Sequence, residues 1–133
     1  MKKIQKQQKV LVVEDDLSVL RALVEKLTRE GFSVFQAKDG KEGLATALRE
    51  RPDIILLDIL MPVMDGPTMM TKLRQDSRWG KKVPIILLTN LSNAEMNIVK
   101  AVIEAEPAYY LVKSNWSMAS VVKKMKEVLA KKA

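Results

Sequence analysis

The 133-residue chain contains no cysteine and no histidine. The first absence excludes a disulfide framework, thiol chemistry and thiolate metal sites. The second excludes a Ser-His-Asp triad, a histidine-ligated metal and any phosphohistidine formed within the chain. Aromatic residues make up only 5% of the sequence, so they do not interleave with basic residues as a nucleic-acid groove requires. No apolar run approaches the ~20 residues of a membrane span. The Lys/Gln-rich start does not have the build of a signal peptide. These absences predict a cytoplasmic chain with no membrane insertion and no nucleic-acid partner. They leave the chemistry to carboxylates, hydroxyls and lysines.

What is present suits one domain with a full core, since 47% of the residues are apolar. The net charge of +7 sits at the ends: residues 1–9 and residues 123–132 carry +4 each, leaving −1 for the body. The ends read as solvated tails rather than a binding face. Residues 1–8 are read as a basic N-terminal tail.

The body alternates strand and helix five times. Apolar runs at Val10–Val13, Ser33–Ala37, Ile54–Leu57, Pro84–Leu88 and Tyr109–Val112 predict strands. Helices are expected from Ser18 as cap through Leu27, from Asp39 and Glu42 at capping-box spacing to Pro52, over 67–75, over 93–105 and over 117–130. Asp76–Lys82, with Trp79 and Gly80, reads as a loop. Such alternation demands a parallel sheet covered on both faces, with right-handed crossovers. The expected fold is α/β: a flavodoxin-like, doubly wound, five-stranded parallel sheet of order 2-1-3-4-5 with five helices.

Open sheets of this kind bind ligands outside the carboxyl ends of their strands. Those ends carry Glu14 and Asp15 after strand one, Asp58 after strand three, Thr89 after strand four and Lys113 after strand five. Adjacent carboxylates with no Cys or His nearby favour a hard cation, Mg²⁺ above all. A carboxylate beside Mg²⁺ can attack a phosphoryl donor to give an aspartyl phosphate. Mg²⁺, Lys113 and the Thr89 hydroxyl can then each meet one of the three phosphoryl oxygens. Taken singly, each residue has a plainer reading. Asp58 could cap the next helix, Glu14-Asp15-Asp16 could favour a helix dipole, and Thr89 and Lys113 could be ordinary strand-end residues. Their joint placement at neighbouring strand ends favours the chemistry. It also argues against a flavin phosphate, which an acidic first loop would repel.

Several stretches together resemble the receiver domain of two-component response regulators. They are Val12-Val13-Glu14-Asp15-Asp16, Leu57-Asp58-Ile59-Leu60-Met61-Pro62-Val63-Met64-Asp65-Gly66, Leu88-Thr89 and Tyr110-Leu111-Val112-Lys113. The resemblance covers residues 9–131 and is to the stand-alone, single-domain type. It implies that Asp58 accepts a phosphoryl group from the phosphohistidine of a sensor histidine kinase or phosphotransfer protein. It implies that Glu14, Asp15, Asp58 and the Leu60 backbone carbonyl hold Mg²⁺, and that Asp16 starts the helix. Thr89 and Tyr110 match the switch hydroxyl and switch aromatic, and Lys113 the phosphate-binding lysine. Phosphorylation is then expected to remodel the face formed by the 93–105 helix, the fifth strand and the last helix for a protein partner. The chain would catalyse its own aspartyl phosphorylation and dephosphorylation without turning over a metabolite.

Three features depart from the family pattern. Ser114 replaces the usual proline after the lysine, and Asn90 replaces a small residue after the hydroxyl. Leu60 and Leu91 are apolar and are expected to flank the pocket, hinder hydrolytic water and lengthen the phosphoryl lifetime. The alternative to the phosphoacceptor is a pseudo-receiver that binds a protein partner without phosphorylation. A phosphatase with an aspartyl nucleophile is disfavoured, because such enzymes commonly place a second Asp two residues on and here that position is Leu60.

Overall fold

The computed structural model describes residues 7–59, 61, 63–90, 97, 109–112 and 116–132. The strands β1 (Lys9–Val13), β2 (Ser33–Ala37), β3 (Ile54–Asp58), β4 (Ile85–Thr89) and β5 (Tyr109–Val112) form one sheet. All four pairings are parallel and the order is β2-β1-β3-β4-β5, as the alternation predicts. The described helices are α1 (Leu17–Arg29), α2 (Gly40–Glu50), α3 (Gly66–Asp76), α4 (Arg78–Lys82) and α5 (Met118–Lys132). Of the helix expected over 93–105, only Asn97 falls within the described residues, and it is helical.

The unbroken apolar strands are buried because both sheet faces are covered. Residue parity divides them between two cores. Val10, Val12, Ile54, Leu56, Ile86 and Leu88 pack with Leu20, Leu23 and Leu27 of α1 and with Val121, Met125 and Leu129 of α5. Leu11, Val13, Ile55, Leu57, Ile85 and Leu87 pack with Ala47 of α2 and with Met69, Met70 and Leu73 of α3. Each fully buried aliphatic side chain contributes about 1.5–3 kcal/mol. Together they fix the strand register and bring the polar strand ends to one edge.

Two local expectations are corrected. Ser18 does not cap α1. The cap is Asp16, whose carboxylate accepts from the backbone N–H groups of Ser18 at 3.0 Å and Val19 at 3.3 Å. The segment 76–82 is not a plain loop, since α4 occupies most of it. Ser77 caps α4 by accepting from the Gly80 N–H at 3.0 Å. A Cβ at Gly80 would overlap the Leu73 carbonyl oxygen, so the residue read as a breaker is what lets α4 lie against α3. The Arg74 guanidinium closes the turn by donating to the carbonyls of Gly80 and Val83. Burial pushes its pKa down from the usual arginine value.

The C-terminal end of α1 is joined by charge to the middle of α5. Lys126 Nζ lies 3.1 Å from Glu30 Oε1, and Lys26 Nζ lies 3.3 Å from Glu30 Oε2. Hydrogen bonds from Lys126 and then Lys26 hold the Glu30 carboxyl below its ordinary pKa. A carboxyl depressed in the folded state adds stability above its unfolded pKa, and that stability is lost as pH falls through the folded value. Glu30→Gln is therefore expected to lower Tm slightly at pH 7, with the gap from the parent closing as pH falls below about 4.3, the ordinary glutamate value. A gap that widened on acidification would contradict the pairing.

Candidate functional site

The site is built on the register of β1 and β3, which pair as Val13↔Leu57. Glu14 and Asp58 are the next positions on each strand. Glu14 is fully buried and Asp58 is 6% exposed, whereas Asp15 is exposed. The Glu14 N–H donates to the Ala37 carbonyl at 3.0 Å, continuing the β1–β2 pairing past the strand end. Glu14 Oε2 accepts from the Asp16 N–H at 3.2 Å, which steadies its carboxylate where the strand turns into α1.

Glu14, Asp15 and Asp58 each offer a carboxylate oxygen, and these oxygens lie within 4.8 Å of one another. Magnesium holds oxygens at 2.0–2.1 Å in an octahedron, so adjacent ligands stand about 2.9 Å apart and opposite ones about 4.2 Å. The three oxygens are gathered closely enough for one such ion to draw them in. An all-oxygen, all-carboxylate donor set suits a hard divalent cation. Two buried carboxylates at this spacing gain most from one, because like charges repel more strongly away from water.

β4 brings the hydroxyl. Asp58 pairs with Leu88, and Thr89 is the next residue of β4, 1% exposed at the same sheet edge. Thr89 in turn pairs with Val112, the last residue of β5. Lys113, Leu60, Ser114 and Leu91 lie outside the described residues. Tyr110 of β5 pairs with Leu87 of β4, but its side chain also lies outside the described part. Asn90 is exposed immediately after Thr89.

The loop leaving Asp58 turns back at once. The Ile59 N–H donates to the Leu88 carbonyl at 3.2 Å, and the Gly66 N–H donates to the Ile59 carbonyl at 2.9 Å. Asp65, not Asp58, caps α3, its side chain accepting from the Thr68 N–H at 2.8 Å. The helix-cap reading of Asp58 is thereby removed. Asp16, the third acid of the first run, is the cap of α1, in line with the helix-start role that the resemblance gives it.

The chain as a whole matches the family model described as the response regulator receiver domain, over residues 10–126. It is 40% identical over 124 residues to the transcriptional regulatory protein PrrA of Mycobacterium tuberculosis, covering 93% of this chain and 51% of that protein. The chain thus spans about half the length of the curated relatives of this kind. Among solved structures it resembles the chemotaxis response regulator CheY4 of Vibrio cholerae, with 31% identity, a TM-score of 0.82 and coverage of 92% and 99% of the two chains. The receiver domain of the sensor histidine kinase PA1611 from Pseudomonas aeruginosa is similar at 28% identity, with a TM-score of 0.81 and coverage of 94% and 99%. That structure has a magnesium ion coordinated in its active-site cleft. This chain belongs to the response-regulator receiver domains of two-component signalling.

One feature of the site had no signal in the sequence. Val63, in the loop after Asp58, has a φ of 68° and is 78% exposed. A β-branched residue in the left-handed region costs about 1–2 kcal/mol, whereas Asn tolerates it better. Val63→Asn is expected to stabilise the fold by about 1 kcal/mol, read as a Tm rise of a few degrees in thermal unfolding. A Tm below that of the parent would contradict the left-handed backbone at this position.

Proposed function

We propose that this chain is a phosphoacceptor. Asp58 takes a phosphoryl group from a partner's phosphohistidine, with Mg²⁺ bound by Glu14, Asp15, Asp58 and the Leu60 carbonyl. The observation that carries this reading is the convergence of the three carboxylate oxygens within 4.8 Å, with the Thr89 hydroxyl at the next strand end. Mg²⁺, when bound, would supply charge neutralisation for the transferring group.

The Asp58 carboxylate approaches phosphorus in line with the leaving nitrogen. The new O–P bond forms as the N–P bond breaks, and the imidazole leaves with its proton from solvent. Thr89 donates its hydroxyl hydrogen to one phosphoryl oxygen, and Lys113 meets another as a point charge. Burial of Asp58 keeps bulk water from competing as nucleophile. The domain acting in this way spans residues 9–131, behind the basic tail 1–8, and works in the cytosol.

Movement of Thr89 toward the phosphoryl group, followed by Tyr110, biases a two-state surface on the face that includes β5 and α5. A protein partner reads that surface. The half-length match to a transcriptional regulator supports an output exerted through protein contact or an attached module.

The reading is tested with Mg²⁺ and acetyl phosphate, following the intact mass. An adduct of ~80 Da that maps to Asp58 and is absent from Asp58→Asn or after chelation is the expected result. A protein that stays unmodified at saturating Mg²⁺ would instead be the phosphorylation-independent pseudo-receiver.

A further inference from the structure

The loop that leaves Asp58 is held between two glycines on different elements. At one end, a Cβ on Gly66 would overlap the carbonyl oxygen of Asp58 itself. In the middle, the N–H of Gly40, the first residue of α2, donates to the Met64 carbonyl at 3.1 Å. A Cβ on Gly40 would overlap that same carbonyl oxygen and stand 3.0 Å from Met64 Cβ. Gly31 is the positive-φ glycine of the described residues, so Gly40 is not there for a left-handed backbone. What it provides is space. The missing side chain leaves room for the loop at the first turn of α2.

Val63 supports the same view. Its left-handed backbone directly precedes Met64. Strain of that kind persists where the surroundings over-determine the chain. The Gly40 N–H on the Met64 carbonyl is one such restraint, and the Gly66 N–H on the Ile59 carbonyl is another.

We propose that Gly40 is a positioning residue for the Asp58 carboxylate and the divalent cation it shares with Glu14 and Asp15. By admitting the Met64 carbonyl against the first turn of α2, it fixes the loop that begins at Asp58. This inference rests on reading the carboxylate trio as a cation site. Any side chain at position 40 displaces Met64, six residues along the chain from Asp58 and held by the Gly40 N–H. Groups that support metal ligands from behind typically change metal affinity by 10–100-fold when altered.

Gly80 supplies the control. Its Cβ would overlap the Leu73 carbonyl oxygen where α4 meets α3, ahead of β4 and away from Thr89 at that strand's other end. Mg²⁺ binding is measured by isothermal titration calorimetry on the parent, Gly40→Ala and Gly80→Ala, with Tm recorded for each. Gly40→Ala is expected to weaken Mg²⁺ binding at least about tenfold. Gly80→Ala is expected to lose Tm while binding Mg²⁺ within twofold or so of the parent. If Gly40→Ala is unfolded, Met64→Gly carries the test, because it slackens the same loop and is expected to weaken Mg²⁺ binding about equally. Parent-like affinity in the folded Gly40→Ala, or in Met64→Gly where that is the variant used, overturns the positioning role while leaving the cation site intact. Failure of the parent itself to bind Mg²⁺ overturns the cation site, and this inference with it.

Discussion

Three carboxylates are forced together where the chain would otherwise keep them apart. Glu14 and Asp58 are buried, Asp15 is exposed beside them, and their oxygens lie within 4.8 Å. Free in water, such groups would separate. Here the register of β1 against β3 sets Glu14 level with Asp58, and that register is fixed by apolar residues that alternate between two cores. The hydrophobic effect therefore holds an electrostatically unfavourable cluster in place. A divalent cation there would offset the repulsion within the cluster.

The surrounding backbone serves that cluster. Asp16 ends the acidic run as a helix cap, and Asp65 caps α3, so neither function falls to Asp58. The loop between Asp58 and Gly66 is short, carries one left-handed valine and is tied to α2 through Gly40. The hydrogen bonds from Gly40 to Met64 and from Gly66 to Ile59 restrain this loop from two elements.

The strands and their order were legible because their signals are strong and local. Ile54–Leu57 and Ile85–Leu88 are apolar on every position, as a parallel strand covered on both faces requires. The polar strand ends were equally plain, since each acid or hydroxyl follows an apolar run at once. Other features depend on contacts that composition does not announce. Ser18 looked like a cap as much as Asp16 did, and the choice is made by the turn that aims Asp16 at two N–H groups. Gly80 signalled a break, yet its missing side chain lets α4 lie against α3. Val63 has no residue-type signal for a positive φ, because β-branched residues avoid it. The role of Gly40 depends on Met64, distant in sequence, lying against it.

The central claim is that the carboxylate trio is a cation site whose crowding is relieved by the ion. The most direct measurement is Tm as a function of Mg²⁺ concentration, for the parent and for Asp15→Asn. Binding to the folded state alone adds about 2.7 kcal/mol at a hundredfold excess over Kd, so the parent's Tm is predicted to climb by several degrees with Mg²⁺. Asp15→Asn is predicted to melt at or above the parent in metal-free buffer and to respond weakly to the ion. A parent Tm that stays flat across the Mg²⁺ series, or an Asp15→Asn variant that gains as much from Mg²⁺ as the parent, would contradict the account.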